Sequence, residues 1–151
     1  MHVRGQIRAY VAARLAAVPG LEDHITIEAG DVPDESELPW ALVSIGDENI
    51  LPRTIAGPSR AVKQQREATL TIDVLGRDRV DVVTQVEDIS AEIEALLATD
   101  PLLGGLAKSS ELRALTVERL RYSEGSQPML LLRLQYQVTY MTAADDPRTA
   151  L

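Results

Sequence analysis

Residues 66–75 read REATLTIDVL, and they alternate without a break. Ala68, Leu70, Ile72 and Val74 fall on one side; Glu67, Thr69, Thr71 and Asp73 fall on the other. A period of two is the mark of a strand with one buried face. The period then changes. After the break at Gly76-Arg77-Asp78, Val82, Val86, Ile89, Ile93 and Leu96 recur at three- and four-residue spacing, with Val83 and Leu97 widening the stripe. That pattern predicts an amphipathic helix over 80–99, with Asp78 as its N-cap and Asp81 near its positive end. A strand with one apolar face and a helix with one apolar stripe must cover each other, so this stretch sets a helix-on-sheet layer.

The flanking segments extend that layer. Val3, Ile7, Val11 and Leu15 sit four apart and predict a first helix over 2–18, stopped by Pro19-Gly20. Residues 24–28 alternate around Ile25 and Ile27 as a short strand, and 29–39 read as an exposed acidic loop. Trp40 opens a strand over 40–45. Residues 46–65 contain Gly46, Pro52, Gly57 and Pro58, show no period, and read as a long loop. Two strands close the chain, over 112–122 and 129–142, with a turn at Glu124-Gly125-Ser126. The first slips phase between Val117 and Leu120, which suggests a bulge. In the second, Leu130, Leu132, Leu134, Tyr136, Val138 and Tyr140 share one face. The expected fold is α+β: a mainly antiparallel sheet of about five strands with two helices on one face and a long loop between the second and third strands. Residues 1–144 form the single domain and 145–151 a loose tail.

Composition fits one globular domain. The chain has 151 residues, 45% hydrophobic and 25% charged. It has no cysteine, which excludes disulfides, thiolate zinc sites and thiol nucleophiles. It has no Phe, so Leu, Val, Ile and Ala must fill the core. The net charge of −8 opposes sequence-independent DNA wrapping, which needs a basic surface. No run approaches the ~20 apolar residues of a membrane span, and the reading is a soluble, cytoplasmic protein.

The charge is segregated. Residues 1–20 hold three arginines and no acid; residues 21–48 hold nine acids and no Lys or Arg. Residues 49–66 hold Arg53, Arg60, Lys63 and Arg66 and no acid, and residues 67–100 return to nine acids against two arginines. Blocks of opposite sign suit contacts between copies of one chain. Within the basic block, Ile50, Leu51 and Ile55 are apolar without a core pattern. Ile50, Leu51, Arg53, Ile55, Arg60, Lys63 and Arg66 are therefore the candidate contact residues, an apolar anchor with steering charge.

No catalytic, cofactor-binding or metal-ligating residue is assigned. His2 and His24 are the only histidines and show no ligand spacing. Gly104-Gly105 lacks the Lys-Ser/Thr of a phosphate loop, and no Gly-x-Ser-x-Gly elbow exists. Asp88 and Glu92 are one helical turn apart, but they lie on the polar side of the helix and read as a solvated face.

The stretches LPWALVSIGDE, ATLTIDVLGRD, DPLLGG and LLRLQYQVTYMT running into DDP, in this order, resemble the tail terminator (tail completion) proteins of long-tailed phages and related gene transfer particles. The resemblance covers about residues 3–147. It implies a structural virion protein without catalytic residues. Such a protein forms a ring, typically a hexamer, at the head-proximal end of the tail after assembly in the host cytoplasm. The ring stops tube polymerisation and docks the head connector. The implied partners are further copies of the chain, the tail tube protein, the head connector protein, and genome DNA passing through the lumen without specific binding; no membrane is involved. The seven candidate residues would then touch a neighbour or the tube. A head–tail connector or neck ring, a monomeric binding adaptor, and a small carboxylate-dependent enzyme are the alternatives.

Overall fold

The computed structural model describes residues 1–27, 38–54, 62–77, 80–120 and 129–151. Its elements are α1 (Val3–Leu15), β1 (Ile25–Thr26), β2 (Trp40–Thr54), β3 (Val62–Arg77), α2 (Val80–Ala98), β4 (Ser109–Leu120) and β5 (Met129–Ala143). The strands form one sheet in the order β1-β2-β3-β5-β4. The expected α+β class with a mainly antiparallel sheet holds: β2 pairs with β3, β3 with β5 and β4 with β5 in antiparallel fashion. β1 runs parallel to β2, so the sheet is mixed.

The core is where the two periods meet. Ala68, Leu70, Ile72 and Val74 of β3 and Leu130, Leu132, Leu134, Tyr136, Val138 and Tyr140 of β5 are buried together with Val3, Ile7, Val11 and Leu15 of α1 and Val86, Ile89, Ile93 and Leu97 of α2. Leu96 is only partly buried. The N-cap assigned to Asp78 lies outside the described residues. On the opposite face, Leu75, Met129 and Leu131 make a small second cluster with Leu38, Leu42 and Leu120. The remainder of that face is polar: Arg133 pairs with Asp73 directly across the β3–β5 register at 2.7 and 3.0 Å.

α1 stops three residues before the expected end. Its last turn tightens, with Val18 N–H donating to the Leu15 carbonyl, and Gly20 at φ 92° reverses the chain. The DPLLGG stretch locks α2 to α1. Asp100 Oδ2 accepts from the Tyr10 hydroxyl at 2.6 Å and from Gly104 N–H at 2.9 Å. Gly104 has φ 67°, and a Cβ there would lie 2.7 Å from the Tyr10 ring, so both backbone and space require glycine.

Three expectations are corrected. The loop read over 46–65 is instead mostly sheet: β2 continues to Thr54 and β3 begins at Val62. Strand pairing runs from Trp40↔Leu75 to Thr54↔Val62, with a register shift between Ile45 and Glu48. The shift sets Gly46 and Asp47 against Thr69 alone, one extra residue on β2, and Arg4 of α1 donates to the Ile45 and Gly46 carbonyls at 3.0 and 3.2 Å. The irregularity in β4 falls between Leu112 and Ala114, not between Val117 and Leu120. The C-terminal residues read as a loose tail are tied down. Thr142 bridges Ala150, Leu151 N–H donates to the Met141 carbonyl, and Val3 N–H donates to the Pro147 carbonyl.

Candidate assembly surfaces

The basic hairpin end is built by β2 and β3 running past the helices. Ile50 and Leu51 are 47% and 50% exposed on β2. Lys63 on β3 pairs in register with Arg53 and, on its other side, with Ala143 of β5. Ile50, Leu51 and Lys63 thus stand on an ordered edge rather than on a loop. Ile55 and Arg60 lie outside the described residues.

Arg66 does not belong to this surface. It is 8% exposed and continues the buried face of β3, in phase with Ala68 and Leu70. Its guanidinium donates to Thr142 Oγ1 at 3.0 Å, to Gln64 Oε1 at 2.9 Å and to Glu48 Oε2 at 3.3 Å. Tyr140 donates its hydroxyl to the same Glu48 carboxylate. Burial, then the bond to Glu48, pushes the Tyr140 hydroxyl far above its ordinary value. His2 closes the cluster. Its Nδ1 caps α1 by accepting from Arg4 N–H at 3.2 Å, and its Nε2 lies 3.5 Å from Arg66. Burial holds the His2 imidazole below its usual value, with Arg66 and Arg4 acting in the same sense and Glu48 opposing them. This network seals the end of the core beneath the N-terminus of α1. The signal was present in the sequence: stepping back two residues from Ala68 along the alternation lands on Arg66.

A second surface was missed. In the β4–β5 register, Leu112, Leu115 and Val117 stand opposite Tyr136, Leu134 and Leu132, on the helix-covered face of the sheet. They are nonetheless 37%, 44% and 55% exposed. The helices pack over β2, β3 and β5, so the edge strand keeps an uncovered apolar stripe. α2 packs on β3 and β5, the strand next to β4, and its residues 80–98 hold Asp81, Glu87, Asp88, Glu92 and Glu94 and no Lys or Arg. Glu94 acts on Tyr136 of β5. Burial, and then its charge, push the hydroxyl of Tyr136, the partner of Leu112, up to about 12. Asp88 and Glu92 are both exposed on α2, as expected of a solvated face.

His2 is a cap, and His24 stacks on Trp40 with ring centroids 5.2 Å apart. Among the described residues no group of three or more His, Asp or Glu is placed to hold a metal ion. No helix among them is long and apolar enough to cross a membrane.

No protein-family model matches the chain, and no curated protein matches it. Among solved structures, a chain of the "Virion of native gene transfer agent (GTA) particle" overlays on it with 14% identity and a TM-score of 0.35, covering 91% of this chain and 92% of that one. An overlay of that score defines neither a shared fold nor a shared role.

Proposed function

We propose that the chain is a structural virion protein that assembles into a ring, caps the tail tube, stops its polymerisation and offers the head connector a docking surface. The observation that supports this is the asymmetry of the sheet. One flank carries exposed Ile50 and Leu51 beside basic residues; the other carries exposed Leu112, Leu115 and Val117 one strand from an acidic helix. Two different patches on opposite flanks make a heterologous contact, and heterologous contacts that close give rings. In the tail terminators that the sequence resembles, the ring is typically a hexamer. On this reading the protein performs no catalysis and sits at the head-proximal end of the tail. DNA crosses the lumen without specific contacts, in keeping with a net charge of −8.

The test is deletion and complementation of the coding sequence, with particles counted by electron microscopy. Tails of uncontrolled length that lack heads, restored to uniform length by the intact protein, are expected. Tails of normal, uniform length with unjoined heads would instead identify a neck protein. Normal infectious particles would remove the virion role altogether.

A further inference from the structure

Resting on the ring reading, we infer that the stripe Leu112–Leu115–Val117 of β4, one strand from α2, is the seat of the β2–β3 hairpin end of a second copy. The stripe is out of place for a monomer. β4 is the terminal strand of the sheet, and no strand among the described residues pairs its outer edge. Long, apolar, unpaired edges are blunted in proteins that stay single, and covered in those that associate. On the hairpin end, Ile50 and Leu51 are exposed in the same way.

Charge selects which surface meets which. The hairpin end belongs to a sequence block, residues 49–66, with four bases and no acid; Arg66 is paired internally with Glu48, and among the described side chains Lys63 carries the remaining positive charge. Of the five acids of α2, Asp81, Asp88 and Glu92 line a hollow with Pro19 on the α1 side, which leaves Glu87 and Glu94 for the side toward the stripe, whose far end carries Arg119 opposite Leu130. Glu87 and Glu94 are seven residues apart and so share one side of α2, which packs on β3 and β5, with Glu94 acting on Tyr136 of β5, the partner of Leu112. An apolar strip beside a basic edge thus matches an apolar strip one strand from an acidic helix, in both area type and sign. The contact cannot close within one copy. β2 and β4 are separated by β3 and β5, three strand spacings or roughly 14 Å across the sheet. The occupant is therefore the neighbouring subunit.

The absence of cysteine gives the test a clean background. Leu51→Cys and Val117→Cys are made singly in the full chain, both at exposed positions. Each is oxidised alone and then as an equimolar mixture, while sedimentation reports the oligomeric state of the wild type. Cross-linked dimers in the mixture but not in either single variant, with a ladder from the double variant, are expected. In parallel, Arg53→Glu with Lys63→Glu should weaken association by about tenfold or more, and Glu87→Lys with Glu94→Lys should restore it. A Val117→Cys variant that cross-links to itself would mean a two-fold β4–β4 contact and would overturn the assignment. A wild type that sediments as a ring while the mixture gives no cross-link would overturn this contact and leave the ring standing. A wild type that is monomeric at all concentrations, with no cross-link, would sink both self-assembly and the contact.

Discussion

Replacing Arg66 separates a buried structural cation from its exposed basic neighbours. Arg66 and Glu48 are 3.3 Å apart with side chains 9% and 10% exposed. Two unit charges at that distance attract by about 5 kcal/mol at an effective dielectric of 20, and desolvation offsets much of this. Removing one partner leaves the other charge in place with its desolvation uncompensated. Arg66→Gln is therefore expected to destabilise the protein by about 3–5 kcal/mol, because Glu48 loses its paired cation and Thr142 loses its donor. With a urea slope of about 2 kcal/mol/M, the unfolding midpoint should fall by roughly 2 M. Lys63→Gln, three strand positions away and half-exposed, should change stability by no more than ~0.5 kcal/mol. The double variant Glu48→Gln/Arg66→Gln should lose less than the sum of the two single losses, with a coupling of about 0.5–3 kcal/mol. Equal midpoints for Arg66→Gln and Lys63→Gln would refute the burial argument, and strict additivity would refute the pairing.

The other expectations address the core, the turn, pH and assembly. Ile89→Ala should cost roughly 2–5 kcal/mol by urea unfolding, since Ile89 is 4% exposed in the helix–sheet core. Gly104→Ala should cost about 1–3 kcal/mol because the new methyl meets the Tyr10 ring, and Tyr10→Ala should relieve the clash part of that loss. The Tyr10–Asp100 bond lowers the Asp100 pKa, so its contribution is present above the unfolded value of 3.8 and is lost as pH falls through the lower folded value. The same bond raises the Tyr10 pKa, so that contribution is present below 10.0 and is lost as pH rises through the higher folded value. Tyr10→Phe should flatten both limbs of a stability–pH profile, and unchanged limbs would show that the bond does not form in solution. Replacing Arg53, Arg60 and Lys63 with Gln while keeping Arg66 should preserve the fold and impair tail-length control most visibly at low salt, where screening is weakest. Uniform tails from that variant would remove the basic residues from the contact.

The alternation of 66–75, the Leu130–Tyr140 face and the 3.6-residue stripes were legible because each element has one wet and one dry side, and burial writes that difference into the order of residues. The same logic explains the main misreading. Beyond Gly46, Asp47, Asn49, Ile50 and Leu51 are exposed and a charged pair, Glu48 with Arg66, takes the buried positions, so the apolar alternation fades while the hydrogen-bonded pairing continues. Of the seven candidate contact residues, Ile50 and Leu51 are exposed, whereas Arg66, which charge alone groups with its sequence neighbours, is buried. Only the long-range β3–β5 register, which sets Arg66 opposite Tyr140, together with Glu48 arriving from β2, makes its burial affordable. The uncovered stripe on β4 was invisible for the opposite reason. Leu112, Leu115 and Val117 have the composition and spacing of a core strand, and their exposure depends on where α1 and α2 lie across the sheet. Local sequence specifies the period of each element; which strand is left at the edge is decided by the packing of elements far apart in the chain.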